Sequence, residues 1–199
     1  CCTAANFEED LFNLVAHNDY KQVPHYRDLS PADEEALRKA GFNRVTDTCI
    51  PESAMRQLEN RLIEYWSQAA ASGRSYFPHE YVYRLIDQGH LETAIQIPRD
   101  RSWVLAAHEQ NIHVYTPGWE DSTLGNIFTA RVIDGKIQSH AAVKSGTMQM
   151  EHLVQWYMET DQNASIGFFQ IGGGIAGDFP ICSVPLIRQD LERECNSWS

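Results

Sequence analysis

The stretch Ser165-Ile166-Gly167-Phe168-Phe169-Gln170-Ile171-Gly172-Gly173-Gly174-Ile175-Ala176-Gly177-Asp178-Phe179-Pro180 is where the reading of the fold begins. Residues 166–171 are a short apolar run ending in three consecutive glycines, the profile of a buried strand feeding a tight turn. Without Cβ atoms, such a turn lets the backbone pass close to a ligand. Gly172, Gly174 and Gly177 also satisfy G-x-G-x-x-G directly after a strand, the spacing used for dinucleotide pyrophosphates. Pro180 follows at once and argues against a long helix starting in the turn. A glycine turn with no ligand is therefore the competing reading.

Working outward, helix and strand signals alternate. Residues 148–158 form an amphipathic helix ahead of the 166–171 strand, and 186–194 a short final helix. Residues 103–109 read as a helix leading into a strand at 112–115. Pro51 opens the longest helix, with Met55, Leu58, Leu62, Ile63, Tyr65 and Trp66 as its apolar stripe and Gly73 as its stop. Residues 81–86 are a further helix, ended at Gly89. Ser30-Pro31-Ala32-Asp33 supplies a cap, a proline at the first helical position and an acid three residues on, and Gly41 closes that helix. Residues 18–29 are irregular. Cys1 to Ala5 resembles the end of a strand. Asn6 is placed to cap the next helix, with Glu8, Glu9 and Asp10 in its first turn facing the positive end of the dipole. Connections of this length need crossovers. The expected fold is α/β: one domain over 1–199 with a Rossmann-like, mostly parallel sheet covered by helices.

Composition narrows the function. The chain has 199 residues, 43% hydrophobic and 22% charged, which describes a globular protein with one ordinary core. A net charge of −11 argues against a nucleic-acid surface and suits a cationic ligand such as a polyamine. Five scattered cysteines form no C-x-x-C and read as reduced thiols, so a cytoplasmic location is expected. No apolar run approaches the ~18 residues of a membrane span, and no signal peptide is expected. The chain does not start with Met, which suggests a fragment.

Two strand ends carry the polar groups: Thr116 to Asn126 after the 112–115 strand, and the glycine turn with Asp178. In open parallel sheets, ligands collect outside such carboxyl ends. Asp121 is either a ribose acceptor or a helix N-cap. Glu8 and Glu9 either anchor an amine or answer the helix dipole. The eight histidines show no H-E-x-x-H and no ligand-like cluster, so they read as structural or solvated and no metal is expected. Ser145-Gly146 lacks the G-x-S-x-G of a nucleophile elbow.

Thr3-Ala4-Ala5-Asn6-Phe7-Glu8-Glu9-Asp10, Asn43-Arg44, Pro117 to Asn126 and Gly172-Gly173-Gly174 together resemble the deoxyhypusine synthase family, in its bacterial deoxyhypusine synthase-like branch. The likeness runs in order through nearly the whole chain. It implies NAD-dependent aminobutyl transfer from spermidine to an amine. A hydride passes to NAD, 1,3-diaminopropane leaves, and the butylamine is carried as a Schiff base on an enzyme lysine. The acceptor is a protein lysine, or putrescine in homospermidine-forming relatives; an inactive structural or regulatory subunit is the alternative from another class. The resemblance further implies a homotetramer with active sites at a dimer interface. It assigns Thr3, Ala4, Ala5, Glu9, Asp121, Gly173 and Gly174 to the cofactor, and Glu8, Glu9, Asn126 and Asp178 to the polyamine. Asn126 stands where eukaryotic members carry an Asp, and Asp178 where they carry a His. The family lysine follows a Trp-Gly pair, whereas this chain stops at Trp198-Ser199, so the lysine segment and the first strand are expected to lie outside it.

Overall fold

The computed structural model describes residues 1–196, without the side chains of Met55 and Gln57. The Met55 position in the predicted stripe, and Trp198-Ser199, thus lie outside the described residues.

Helix α1 (Ala4–Ala16) starts earlier than Asn6 predicts. Thr3 is its N-cap, with extended dihedrals and a hydroxyl that accepts the Asn6 amide at 3.2 Å. Two alanines, strong helix formers, fill the first turn. Glu8, Glu9 and Asp10 are thereby moved out of the first turn and onto faces that meet other elements. Helix α2 (Pro31–Lys39) has the predicted capping box: Ser30 Oγ accepts the Asp33 amide and Asp33 accepts the Ser30 amide. Gly41, at φ 80°, turns the chain out of it.

A hairpin follows that local signals did not reveal. Strands β2 (Phe42–Val45) and β3 (Thr48–Pro51) pair antiparallel, and β1 (Lys21–Gln22), inside the stretch expected to be irregular, joins the other side of β3. Thr46 takes φ 54° in the two-residue turn. Arg44 reaches back from β2 to Glu34 at 2.5 Å and ties α2 to the sheet.

Helix α3 (Glu52–Ala71) is the core's axis, packed against α4 (Pro78–Asp87) and α6 (Thr123–Ile133), with α1 and α5 (Trp103–Glu109) completing the layer. Trp66, 1% exposed, meets Tyr81, Trp119 and Phe128 edge-to-face at 6.2, 6.2 and 5.3 Å. Helix α7 (Gly146–Thr160) covers a second, smaller cluster of Val154, Tyr157, Ile166, Ile187 and Cys195. After the glycine turn, α8 (Ile175–Ile181) is short, as Pro180 requires. The expected last helix is a π-helical turn, Leu186–Asp190.

The fold is α/β and helix-rich, but the expected mostly parallel Rossmann-like sheet is not formed among the described residues. The sheet there is three-stranded and antiparallel, in the order β1-β3-β2. Parallel character is confined to a single bridge, Tyr76 to Val143. Segments 112–115 and 166–171 lie outside any strand, and within the described residues 166–171 has no backbone partner. Apolar periodicity marks a segment as strand-like, but ladder formation also needs a neighbouring backbone at the right distance. The five cysteines form no disulfide. No helix among the described residues is long and apolar enough to cross a membrane.

Candidate functional site

The three consecutive acids of α1 have three different fates. Glu8 is 6% exposed. Its Oε1 accepts the Thr123 amide and its Oε2 the Leu124 amide, each at 2.8 Å. These are orphan amides of the first turn of α6. Burial pushes the Glu8 carboxyl up from the ordinary glutamate range, and the two amide bonds partly offset the shift. Asp10 accepts Ser102 Oγ at 2.5 Å and the Val104 amide at 3.2 Å, at the start of α5. Glu9, between them, is exposed.

Glu9 lines a cleft of about 910 Å³ with Asn6, Asp10, Asn13, Tyr20 and Trp103. The Tyr20 hydroxyl is buried without a hydrogen-bond partner. Burial, and secondarily Glu9, push it up to about 12, so it is a neutral donor. Trp103, 41% exposed, is braced edge-on by Phe7 at 5.9 Å. Carboxylate, phenol and indole face together suit an alkylammonium: an anion for the charge and aromatic surface for the methylenes.

The predicted cofactor segments touch one another in turn. The Cys2 amide donates to Tyr115 O at 3.0 Å, which joins the start of α1 to the segment before the Asp121 turn. A Cβ on Gly118 would lie 3.3 Å from Ile175 Cδ1, so that turn also abuts the glycine turn. The amides of Ala4 and Ala5 bond to nothing among the described residues, leaving the N-terminus of α1 free for an anion. Thr3 uses its hydroxyl as the cap.

Asp121 is not the N-cap of α6. Ser122 is, accepting the Gly125 amide at 3.0 Å, and Asp121 stays exposed beside it. Asn126 donates to Glu120 O and Ser122 O at 3.1 and 2.7 Å, which holds its amide within the turn. Gly172 and Gly174 need glycine for their φ of 90° and 69°. A Cβ on Gly173 would meet nothing within 4 Å. Asp178 is exposed in the first turn of α8. Of the predicted residues, Glu9 alone lines the acidic cleft; Thr3, Ala4, Ala5, Asp121, Gly173, Gly174, Asn126 and Asp178 are not among its lining residues, and Glu8 is turned inward.

Sequence reasoning missed a histidine cluster. His79, His113 and His152, distant in the chain, pack ring to ring with Tyr115, whose hydroxyl lies 2.7 Å from His152 Nδ1. No local pattern could have joined them. No metal-binding group of His, Cys, Asp and Glu occurs among the described residues. His113 and Tyr115 floor a second cleft of about 590 Å³, walled by Trp156, Phe168, Phe169 and Ile171.

The sequence profile of the deoxyhypusine synthase family matches residues 1–193. The chain belongs to this family. It is similar to a deoxyhypusine synthase-like protein of Caulobacter vibrioides, at 21% identity over 158 residues. That alignment covers 78% of this chain and 40% of the relative, so the chain spans less than half of that protein's length. The deoxyhypusine synthase match includes the α1 acids, the Asp121 turn and the glycine turn alike.

Proposed function

We propose that this protein takes part in NAD-dependent aminobutyl transfer from spermidine to an amine acceptor, as a cytoplasmic homotetramer. The observation that carries the reading is the acidic cleft with Glu9, the unpartnered Tyr20 hydroxyl and the exposed Trp103 face. Glu9 holds an ammonium by a charge-assisted hydrogen bond, and Asp178 supplies a second negative charge in place of the one that Asn126 lacks. Trp103 excludes water from the methylene chain.

The residues present fit a dinucleotide. Free amides at Ala4 and Ala5, next to Thr3, offer a pyrophosphate the N-terminus of a 13-residue helix. Asp121 is exposed and would accept from ribose hydroxyls, and Gly173 and Gly174, with open space around them, would let the cofactor approach the backbone. NAD, when bound, supplies the hydride acceptor. In this reading 112–115 and 166–171 belong to a Rossmann-like parallel sheet.

The chain's lysines are placed elsewhere. Lys39 pairs with Glu35, Lys136 with Asp134, Lys144 lies 3.9 Å over the Phe77 ring, and Lys21 is in β1. None lines the acidic cleft. In this reading none of these four lysines carries the butylamine within its own chain's cleft. The test is borohydride trapping with spermidine and NAD, followed by peptide mapping. We expect no adduct on these four lysines and an adduct when the full relative-length protein is used. An adduct on any of the four, or none in either protein, overturns the reading.

A further inference from the structure

Successive residues of a helix point about 100° apart, so three consecutive side chains cannot share one task. In α1, Glu8 faces the start of α6, Asp10 reaches the start of α5 at the edge of the cleft, and Glu9 between them is the exposed acid of the cleft. We propose that Glu8 and Asp10 are positioning residues that fasten the first turns of α6 and α5 to α1, leaving Glu9 as the α1 carboxylate that meets the cation. The inference rests on the polyamine reading for Glu9 and on geometry alone for Glu8 and Asp10.

Both Glu8 oxygens are engaged, and the residue is almost entirely buried. Each oxygen keeps a second lone pair, but at 6% exposure a cation could reach it only by displacing the start of α6. The negative charge also lies on the positive end of α6, where it is favoured. Because α6 begins directly after the 118–122 turn, this contact sets the position of Asp121 relative to Glu9. Asp10 does the same for α5, whose first residue, Trp103, is the aromatic wall of the cleft.

Amide NMR with spermidine titrations at several salt concentrations tests this. In the wild type, the Thr123 and Leu124 amide protons should lie downfield and titrate with the Glu8 carboxyl carbon, and spermidine should move the Glu9 carboxyl carbon instead. Glu8→Gln should shift both amides upfield and speed hydrogen exchange across 118–126, with the salt dependence of spermidine affinity unchanged. Glu9→Gln should leave the amides in place, weaken spermidine by ~10-fold and flatten the salt dependence. If Glu8→Gln flattens it equally, or spermidine moves the Glu8 carbon, Glu8 is a ligand and the proposal fails. Should Glu8→Gln not fold, the wild-type titration alone decides. Absence of any spermidine binding, with the amide signature intact, would refute the polyamine reading and the role given to Glu9 while upholding the clamp.

Discussion

The His113 imidazole stacks on His152, with ring centroids 4.2 Å apart and planes at 17°. His79 meets the same His113 edge-on at 4.3 Å. Because His79 is in α4 and His152 in α7, this seam joins the main core to the helix covering the smaller one. Burial, then the neighbouring histidines and Lys144, lower His79 to about 3. Burial, His152, Lys144 and the Cys1 amino group lower His113 to about 4. His79 Nδ1 and His113 Nε2 are buried without partners.

Stability should fall on acidification through this seam. Both folded-state values lie below the unfolded value of ~6.5, so the unfolded chain binds protons first as the pH drops. The stabilising effect is complete above about pH 6.5 and decays toward pH 4 for His113 and pH 3 for His79. Urea denaturation should show a loss of roughly 2–4 kcal/mol between pH 7 and pH 5, toward the lower end because His113 is only half-buried. His113→Phe, which can still stack, should flatten the profile. An equally steep profile in that variant would remove the seam from the explanation.

Trp66 joins α3 to the rings of α4 and α6, so Trp66→Ala should cost about 3–5 kcal/mol in chemical denaturation. A cost under about 1 kcal/mol would mean that the three surrounding rings close over the space.

Two glycines make a contrasting pair. A Cβ on Gly125 would lie 2.2 Å from Trp119 O, so Gly125→Ala must displace backbone and lower the melting temperature. Gly173 has open space, so Gly173→Ala should melt like the wild type while weakening NAD in calorimetry. Unchanged NAD affinity would take Gly173 out of the cofactor site.

Ser122 and Asp121 should separate structure from binding. Ser122→Ala loses the α6 cap and should cost about 1 kcal/mol of stability. Asp121→Ala should leave stability alone and weaken NAD by ~1–3 kcal/mol. The reverse pattern would restore Asp121 as the structural residue.

Phe169 and Ile171 are 92% and 88% exposed on a segment with no backbone partner among the described residues. Such an edge promotes self-association. Phe169→Lys should reduce concentration-dependent light scattering without altering the melting temperature, and unchanged scattering would show that this edge is not the sticky one.

Where the physics is local, the amino-acid order alone determined the outcome. The Ser30–Asp33 capping box, the entry to α3 after Pro51, the turns at Gly41 and Gly73 and the bounds of α5 all depend on groups within about one helical turn of each other. The candidate site residues came instead from the likeness of whole segments to the deoxyhypusine synthase family, which local physics does not supply. Only the tertiary structure decided the rest. It shifted the α1 cap to Thr3, gave the α6 cap to Ser122 instead of Asp121, paired β2 with β3 and left 166–171 without a ladder. It also gathered three histidines that no pattern connects, and divided Glu8, Glu9 and Asp10 between two helix starts and a cleft. Glu8 and Glu9 are chemically identical neighbours. What separates them is the partner each face of α1 meets, and for Glu8 that partner is a pair of amides more than a hundred residues away.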